Sequence, residues 1–166
     1  MNISLNMGCG GLRFISTPET AWINIDARRD VGADKVADFK NLDYSNGSIA
    51  RIVCIHALEH LPRQDAEMAL KEWYRILRVG GELVIEVPNF DLTVKEYLEG
   101  DDAKKDVRIT NIYGLQRFSG DQHCWGYNFK RLKKLLESIG FRNVIEIFDY
   151  SYHVQEEPCL RVRCEK

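Results

Sequence analysis

Three closely spaced glycines near the N-terminus are the first residues whose type and spacing could serve chemistry. Gly8, Gly10 and Gly11 directly follow the short apolar run 3–7. Glycine has no Cβ to block an approaching ligand and readily takes a positive φ angle, so a ligand can lie against bare backbone. A dinucleotide site would need Gly-x-Gly-x-x-Gly, but Arg13 stands at the third glycine position. The spacing predicts a ligand loop after a first strand, with a purely structural turn as the alternative.

Two carboxylates that end predicted strands offer hydrogen-bond acceptors to such a ligand. Asp26 closes the alternating run 22–26, and Asp38 lies beside Phe39 at the end of the run 35–39. A carboxylate at the tip of the second strand can accept from both hydroxyls of a ribose. Asp38 could accept from an exocyclic amine while Phe39 lies along the plane of the base. Asp is also common in turns, and a purely structural role is the alternative for both residues.

A cluster of imidazole and carboxylate groups follows the predicted fourth strand. His56 and His60 are four residues apart with Glu59 between them, and would share one face of a helix. The order is His-x-x-Glu-His rather than His-Glu-x-x-His, no third ligand stands nearby, and Pro62 ends the segment. Zinc sites usually need three or four protein ligands, so we predict no metal here. We expect His56 to line a ligand pocket, and Glu59 and His60 to stabilise the turn or face a substrate.

The polar and aromatic segment 116–127 is where we expect the substrate to bind. It combines aromatic, imidazole and amide groups in a predicted loop, and loops at the carboxyl ends of strands carry specificity. His123 is the first candidate catalytic residue, with Asp91 and His56 as secondary candidates. A general-base role for a histidine is a hypothesis, because sequence alone gives no pKa. The alternative is that the aromatic residues of this loop only anchor it on the core.

Alternating strand and helix patterns must position these groups. Strand patterns occur at 3–7, 22–26, 35–39, 49–55, 82–87, 141–150 and 159–164. Helical patterns occur at 12–21 (short or irregular), 65–78 (ended by Gly80-Gly81), 93–98 (capped by Asp91), 104–112, and from Asn128 to Gly140. The nearly continuous apolar run 49–55 is typical of a parallel strand covered on both faces. Together the patterns predict an open α/β sheet.

Four blocks of the chain resemble, in the same order, class I S-adenosylmethionine-dependent methyltransferases of the type 11-like group, which acts on small molecules and glycans. They are Leu5 to Gly11, Trp22 to Asp26, Ile55 to Leu61 with its His-Ala-Leu-Glu-His-Leu, and Trp73 to Pro88 with its Arg-Val-Gly-Gly turn. Val79 replaces the family's usual proline, and Ser48 and Arg51 stand where many relatives carry an Asp. The resemblance implies a Rossmann-like seven-stranded sheet, mostly parallel with an antiparallel last strand, and helices on both faces.

The resemblance also implies a cofactor, S-adenosyl-L-methionine, and a set of residues that bind it. Eight positions match that set: Asn6, Gly8, Cys9, Gly10, Asp26, Asp38, Phe39 and His56. The implied reaction moves a methyl group from the sulfonium to an oxygen, nitrogen or carbon atom of a small-molecule or glycan acceptor. Such a displacement mainly requires that the partners be held close and aligned, so a dedicated base is not essential.

Three other functions compete with this interpretation. A non-catalytic subunit could bind S-adenosylmethionine or S-adenosylhomocysteine and activate a partner. A nucleic-acid methyltransferase is disfavoured because no Asp/Asn-Pro-Pro-Tyr element follows the fourth strand. A nicotinamide oxidoreductase is disfavoured by Arg13 at the third glycine position.

Composition and charge limit the kinds of protein and the partners that the sequence is compatible with. The 166 residues are predicted to form a single domain, 1–166, with 45% hydrophobic and 29% charged residues. A net charge of −2 gives no overall field that would attract nucleic acid. The five cysteines form no C-x-x-C pair, which favours reduced thiols and a cytoplasmic location. No apolar run approaches the roughly 20 residues of a membrane span.

The chain begins almost directly at the predicted first strand. Only Met1 and Asn2 precede it, so we expect the domain to lack the N-terminal lid helices common in the resembling family. An open site would then be covered by the segment 88–128, by a second copy of the chain, or by a partner chain.

Overall fold

A seven-stranded sheet is the centre of the computed structural model, which describes residues 1–148 and 157–166. Its strands are β1 (Asn2–Met7), β2 (Thr20–Asp26), β3 (Lys35–Val36), β4 (Ile49–Ile55), β5 (Leu77–Pro88), β6 (Arg142–Glu146) and β7 (Cys159–Glu165). The strand order is β3-β2-β1-β4-β5-β7-β6. The first five strands pair in parallel, whereas β7 is antiparallel to both β5 and β6. The predicted α/β class and its antiparallel last strand are confirmed.

Helices α1 (Arg63–Ile76) and α4 (Phe129–Ile139) pack on the apolar core of the sheet. The side chains that α1 directs inward at helical spacing are all fully buried: Ala66, Ala69, Leu70, Trp73 and Ile76. Trp73 is therefore a core residue, as predicted. The helix ends at Ile76 rather than at the Gly80-Gly81 turn, because Leu77 already pairs with Ile49 in the sheet.

The segment 12–19 is not helical, so the short helix predicted at 12–21 is wrong. The side chain of Asn24 makes the hydrogen bonds to the Phe14 backbone that neighbouring turns would make in a helix. Its Oδ1 accepts from the Phe14 N–H at 2.8 Å, and its Nδ2 donates to the Phe14 carbonyl at 3.1 Å. Since both backbone groups of Phe14 are satisfied by a strand residue, the segment runs extended beside β2.

A pair of helices, α2 (Phe90–Glu99) and α3 (Asp102–Tyr113), follows β5. Asn89 caps α2 by accepting from the Leu92 N–H at 3.2 Å, so the prediction that Asp91 caps this helix is wrong. Asn128 and Gly140 bound α4 as predicted. The predicted strand 141–150 is described from Arg142 to Glu146, and residues 149–150 lie outside the described part of the chain.

The predictions about membrane spans and about the cysteines can be compared with the structure. Within residues 1–148 and 157–166, none of the helices combines the length and the apolar character needed to cross a membrane. All five cysteines are free thiols, as their scattered spacing predicts.

Glu72 fastens the loop before β4 to α1, and we expect its charge to stabilise the fold. Its carboxylate accepts from the Leu42 N–H and from Arg75, each at 2.7 Å. The hydrogen bond from Arg75, opposed by burial, lowers the pKa of Glu72 below its ordinary 4.5. Glu72→Gln should lower the free energy of unfolding by about 1–3 kcal/mol near neutral pH, as measured by urea denaturation.

The pH dependence of that difference follows from the sign of the shift. Because the folded pKa of Glu72 is lowered, its contribution is present above the ordinary value of 4.5 and is lost as pH falls through the folded value. The variant and the wild type should therefore converge in acid. Glu67→Gln is the control, since solvent screens its exposed ion pair with Lys71 and the change should have little effect. Equal stability of the Glu72 variant and the wild type at neutral pH would contradict this role.

Candidate functional site

The glycine loop leaves β1 in a conformation that its neighbours impose. The N–H groups of Gly8 and Cys9 both donate to the Ile25 carbonyl, at 2.8 and 3.1 Å. Gly8 has φ +69°, and a Cβ added there would overlap the Cβ of Ala57. Both the positive φ angle and the contact with Ala57 therefore exclude a larger residue at position 8.

Gly10 and Gly11 present open backbone beside the carboxylate of Asp26. A Cβ added at either glycine would meet no atom within 4 Å. Asp26 is 8% exposed; its Oδ2 accepts from the Gly10 N–H at 2.8 Å and its Oδ1 from the Arg28 N–H at 2.9 Å. Each oxygen keeps a second lone pair that can accept from a ligand hydroxyl. Bare backbone and an oriented carboxylate therefore stand side by side at the carboxyl ends of β1 and β2.

Asn6 and Cys9, both predicted to bind a cofactor, lie in the support of this loop. The Asn6 side chain is buried and donates to the Leu12 carbonyl at 2.7 Å and to Asn24 at 3.0 Å. Cys9 is also buried, and burial raises the pKa of its thiol. Their side chains hold the shape of the loop, so a contribution to ligand binding would come from the backbone.

Asp38 and Phe39 follow β3 and differ in exposure. Asp38 is exposed, and its Oδ1 accepts from the Lys40 N–H at 3.0 Å. Phe39 is buried against Trp73, with ring centroids 6.3 Å apart, and its ring lies beneath Gly8. Asp38 is accessible to a ligand, whereas the Phe39 side chain belongs to the core.

His56 is a buried imidazole surrounded by acidic groups. It lies 3.4 Å from Glu59, 3.5 Å from Glu86 and 3.9 Å from Glu157, and its Nε2 is 3.4 Å from the Cys159 sulfur. Burial alone would lower the pKa of His56, but its contacts with Cys159, Glu59 and Glu86 outweigh burial and raise the pKa to about 12. The raised pKa favours the protonated imidazolium, a form that donates hydrogen bonds and does not accept a proton.

His123 has the opposite electrostatic character. Its Nδ1 is 2.8 Å from the Asn111 carbonyl, which can only accept, so Nδ1 carries the proton and Nε2 keeps a lone pair. Burial lowers the pKa of His123, against the attraction of Glu59. A neutral imidazole with a fixed tautomer can accept a proton or bind a metal ion.

A cavity of about 300 Å³ brings both histidines together above the end of β4. Its walls come from the turn after β4, from α3, from the loop after α3 and from the segment just before β7: His56, Glu59, His60, Val107, Arg108, Thr110, Asn111, Gly114, Leu115, Arg117, Asp121, His123 and Glu157. The volume is at the small end of ligand pockets. Two of the three predicted catalytic residues, His56 and His123, line it.

Asp91 is not among the residues that line this cavity. Its carboxylate accepts from the Asn128 Nδ2 at 3.0 and 3.2 Å, and it borders shallow surface grooves beside Lys95. The hydrogen bonds to Asn128 tie the start of α2 to the start of α4. The structure therefore separates Asp91 from His56 and His123, the other two candidate catalytic residues.

The loop after α3 reaches across to the tip of β2. The Arg28 guanidinium stacks on the Phe118 ring, 3.7 Å from its centroid. Asp121 anchors the same loop by accepting from the side chain of Arg117 at 2.9 and 3.0 Å, which lowers the pKa of Asp121 to about 2 against the effect of burial. This loop connects the cavity to the side of the sheet that carries Asp26.

Sequence reasoning missed several buried charges of the site. Glu86 and Arg161 face each other at 3.7 Å inside β5 and β7, and Arg108 on α3 hydrogen-bonds Asn111 at 2.8 Å. A charged residue within an apolar strand is a usable signal, and Glu86 in Leu-Val-Ile-Glu-Val offered one. Arg108 gave no such signal, because its helix is polar on most sides.

Comparison with known proteins identifies the family. The model of the methyltransferase domain family matches residues 5–146. The chain is 27% identical over 135 residues to a glycine/sarcosine N-methyltransferase of Aphanothece halophytica, covering 69% of this chain and 50% of that protein. This chain thus spans half the length of that relative.

Solved structures share the fold. A SAM-dependent methyltransferase from Archaeoglobus fulgidus superposes with TM-score 0.68 at 16% identity, covering 99% of this chain and 86% of that one. A Thermotoga maritima protein described as a "possible histamine N-methyltransferase" gives 0.66 at 16% identity, covering 100% and 83%. Since the family model covers most of the sequence, this chain belongs to the methyltransferase domain family.

Proposed function

We propose that this chain methylates a small polar acceptor bound in the cavity between His123 and Arg108. The observation that carries the proposal is the position of the cavity at the carboxyl end of β4, joined by the Arg28–Phe118 contact to the open glycine loop. Ligands of open α/β sheets bind outside the carboxyl ends of the strands. Cofactor and acceptor would then meet across the edge formed by β1, β2 and β4.

The residues around the glycine loop fit the cofactor. Bare backbone at Gly10 and Gly11 gives room for close approach, and Asp26 offers lone pairs to the two ribose hydroxyls. The exposed Asp38 can accept from the adenine amine. When bound, S-adenosylmethionine supplies an activated methyl group on a sulfonium. The chain itself has to hold the acceptor in line with that group and exclude water.

We assign the main contact with the acceptor to His123. Its Nε2 lone pair can receive a proton from the acceptor, or orient it, because Nδ1 is fixed on the Asn111 carbonyl. His56 keeps the acidic groups beneath the cavity neutralised and does not exchange protons with the acceptor. Asp91 has no part in this proposal, since it lies on another surface.

More specifically, we propose that the acceptor is a small molecule methylated on a nitrogen atom. Two relatives carry names that refer to amine methylation, glycine or sarcosine in one case and histamine in the other. The cavity wall carries the carboxylates of Glu59, Asp121 and Glu157 together with His56, Arg108 and Arg117, which suits a small amine that also carries a carboxylate. Its volume of about 300 Å³ suits a small molecule better than an extended glycan chain.

The segment 88–128 is proposed as the lid of the site. The Phe118 ring lies against Arg28, and the N–H groups of Cys124 and Trp125 donate to the Glu59 carbonyl at 2.7 and 3.2 Å. Both ends of the loop are therefore held over the strand ends by the chain itself. A second copy or a partner chain would add to this cover rather than replace it.

Transfer of radiolabelled methyl groups from S-adenosylmethionine tests the proposal. We expect labelling of at least one compound among glycine, sarcosine, histamine and a panel of simple saccharides, with an amine preferred. His123→Asn should reduce kcat by about 100-fold or more, the usual effect of losing a positioned proton acceptor. Asp91→Asn, a polar change on another surface, should leave kcat unchanged.

Two outcomes would count against the proposal. Equal loss of activity in both variants would mean that His123 does not face the acceptor. Binding of S-adenosylhomocysteine without transfer to any acceptor would favour a non-catalytic binding subunit.

A further inference from the structure

Three potential metal ligands converge in the wall of the cavity from two distant parts of the chain. Glu59 and His60 belong to the short 3-10 helix Leu58–His60 directly after β4, and His123 comes from the loop after α3. One ligand atom from each of the three residues lies within 4.8 Å of the others. The third ligand that the local sequence lacked is therefore supplied by tertiary structure.

Both histidines are held with one ring nitrogen available. Backbone carbonyls can only accept hydrogen bonds, so Nδ1 of His60 donates to Gln122 at 3.2 Å and Nδ1 of His123 donates to Asn111 at 2.8 Å. Each Nε2 therefore keeps its lone pair. Ligand histidines in metal sites are oriented in this way, with the second nitrogen donating to a carbonyl or carboxylate. The two rings contact edge to face, with centroids 4.8 Å apart.

The carboxylate of Glu59 points into this cluster without a hydrogen-bond donor. Glu59 is 1% exposed, and neither of its oxygens has a hydrogen-bond partner. His56 approaches Oε1 at 3.4 Å, which is an ion-pair distance and too long for a good charge-assisted hydrogen bond. A buried carboxylate is costly unless it is hydrogen-bonded or coordinates a metal. A cation between Glu59 and the two imidazoles would satisfy it.

The backbone around the cluster is rigid before any ion binds. The Glu59 carbonyl accepts from the N–H groups of both Cys124 and Trp125, and the His123 N–H donates to the Tyr113 carbonyl at 3.0 Å. Tetrahedral ligands at about 2.1 Å from zinc lie about 3.4 Å from one another. Side-chain movements of about 1 Å would therefore close the cluster around an ion.

The donor set selects the kind of ion. Two imidazole nitrogens and one carboxylate oxygen suit Zn²⁺, Mn²⁺, Fe²⁺ or Co²⁺, whereas Mg²⁺ and Ca²⁺ prefer oxygen ligands alone. Three protein ligands leave at least one coordination position open, as in catalytic zinc sites. That position would face the cavity of about 300 Å³, which the same three residues line.

We propose that Glu59, His60 and His123 bind one divalent transition-metal ion, with an open coordination position toward the acceptor cavity. A bound ion would occupy the Nε2 lone pair of His123, which would then no longer receive a proton from the acceptor. The ion itself would hold the acceptor by coordinating an oxygen or nitrogen atom of the acceptor. Metal binding does not require the methyl-transfer proposal, since the three ligands lie outside the glycine loop. The prediction of no metal, made from local spacing, is replaced by this proposal.

Titration of the metal-stripped chain of 166 residues tests the site directly. Zn²⁺ binding is measured by calorimetry, and Co²⁺ binding by visible absorption, which reports coordination geometry. We expect one equivalent of either ion to bind, and His60→Asn and His123→Asn each to weaken binding at least about 10-fold. Because Glu59 is buried and its substitution could unfold the chain, these two half-buried histidines carry the test, and circular dichroism verifies folding.

Matched variants separate this site from its neighbours. Glu157→Gln, a change within the same cavity but outside the cluster, should leave the affinity for Zn²⁺ unchanged. Cys124→Ser should also have no effect, which excludes capture by the exposed thiol beside His123. The proposal fails if the chain binds neither ion, or if both histidine variants bind as the wild type does. Loss of binding only in Cys159→Ser would place the ion on the second cluster, His56, Glu86 and Cys159, and would also overturn it.

Discussion

Substituting Gly8 by alanine should destabilise the chain by about 2–5 kcal/mol and abolish cofactor binding. A residue with a Cβ at φ +69° costs about 1–2 kcal/mol, and forcing a methyl group into packed atoms costs a further ~1–3 kcal/mol. The overlap is with the Cβ of Ala57, directly after His56. The displaced loop would also move the Gly10 N–H away from Asp26 and so disturb the carboxylate proposed to bind the ribose.

The two contributions can be separated by matched variants. Gly32→Ala has nearly the same φ, +70°, but open space around the new Cβ, so it should lose only the conformational part of about 1–2 kcal/mol. The double variant Gly8→Ala/Ala57→Gly removes the overlapping methyl group and should recover about 1–3 kcal/mol relative to additivity. Urea denaturation measures these free energies. Identical losses in Gly8→Ala and Gly32→Ala would show that the packing at Ala57 is unimportant.

Replacing His56 by asparagine should be the most damaging single change to a charged group, about 3–5 kcal/mol. His56 lies between Glu59, Glu86 and Glu157, and its loss would remove the nearest cation from the buried Glu59 carboxylate. Glu86 would keep Arg161 at 3.7 Å, and Glu157 would keep the Asn111 amide at 2.8 Å. Asparagine is chosen because it tolerates the left-handed backbone of His56, φ +47°, so the measured loss reports charge rather than strain.

A second substitution tests whether charge is the cause. In His56→Asn/Glu86→Gln one of the carboxylates that faced His56 is neutralised, and we expect part of the lost stability to return. His60→Asn, a half-buried histidine outside this acidic group, should cost less than about 1 kcal/mol in metal-free protein. If His56→Asn is as mild as His60→Asn, then His56 is not the buried cation that neutralises the strand ends.

The main helices and strands could be predicted from the sequence because the apolar pattern that marks their buried faces is local. Helical spacing in α1 predicted the buried face that includes Leu70 and Trp73, and the apolar run of β4 predicted a covered parallel strand. The helix expected at 12–21 was wrong because Asn24, a residue of the next strand, satisfies the backbone of Phe14. No periodicity within the segment carries that information.

The site was only partly predictable, because some of its residues are grouped by local sequence and others by contacts between distant segments. Glycine spacing and the carboxylate of Asp26 are local signals, and the structure places them side by side. The grouping of Glu59 and His60 with His123 depends on backbone hydrogen bonds between two segments more than 60 residues apart in sequence. Asp91 does not line the cavity, because its carboxylate accepts from Asn128 and joins α2 to α4. Such pairings are decided by packing, which a single sequence does not display.

Calorimetric titration with S-adenosylhomocysteine, with NAD as the comparison ligand, tests the central claim most directly. We predict one equivalent of S-adenosylhomocysteine bound and no heat from NAD. Asp26→Asn should weaken binding at least about 10-fold, because the ribose loses a charged acceptor. Asp30→Asn, which removes an exposed carboxylate from the same turn, should not. Binding of NAD, or S-adenosylhomocysteine affinity that is the same in both variants and the wild type, would contradict a cofactor site at the glycine loop.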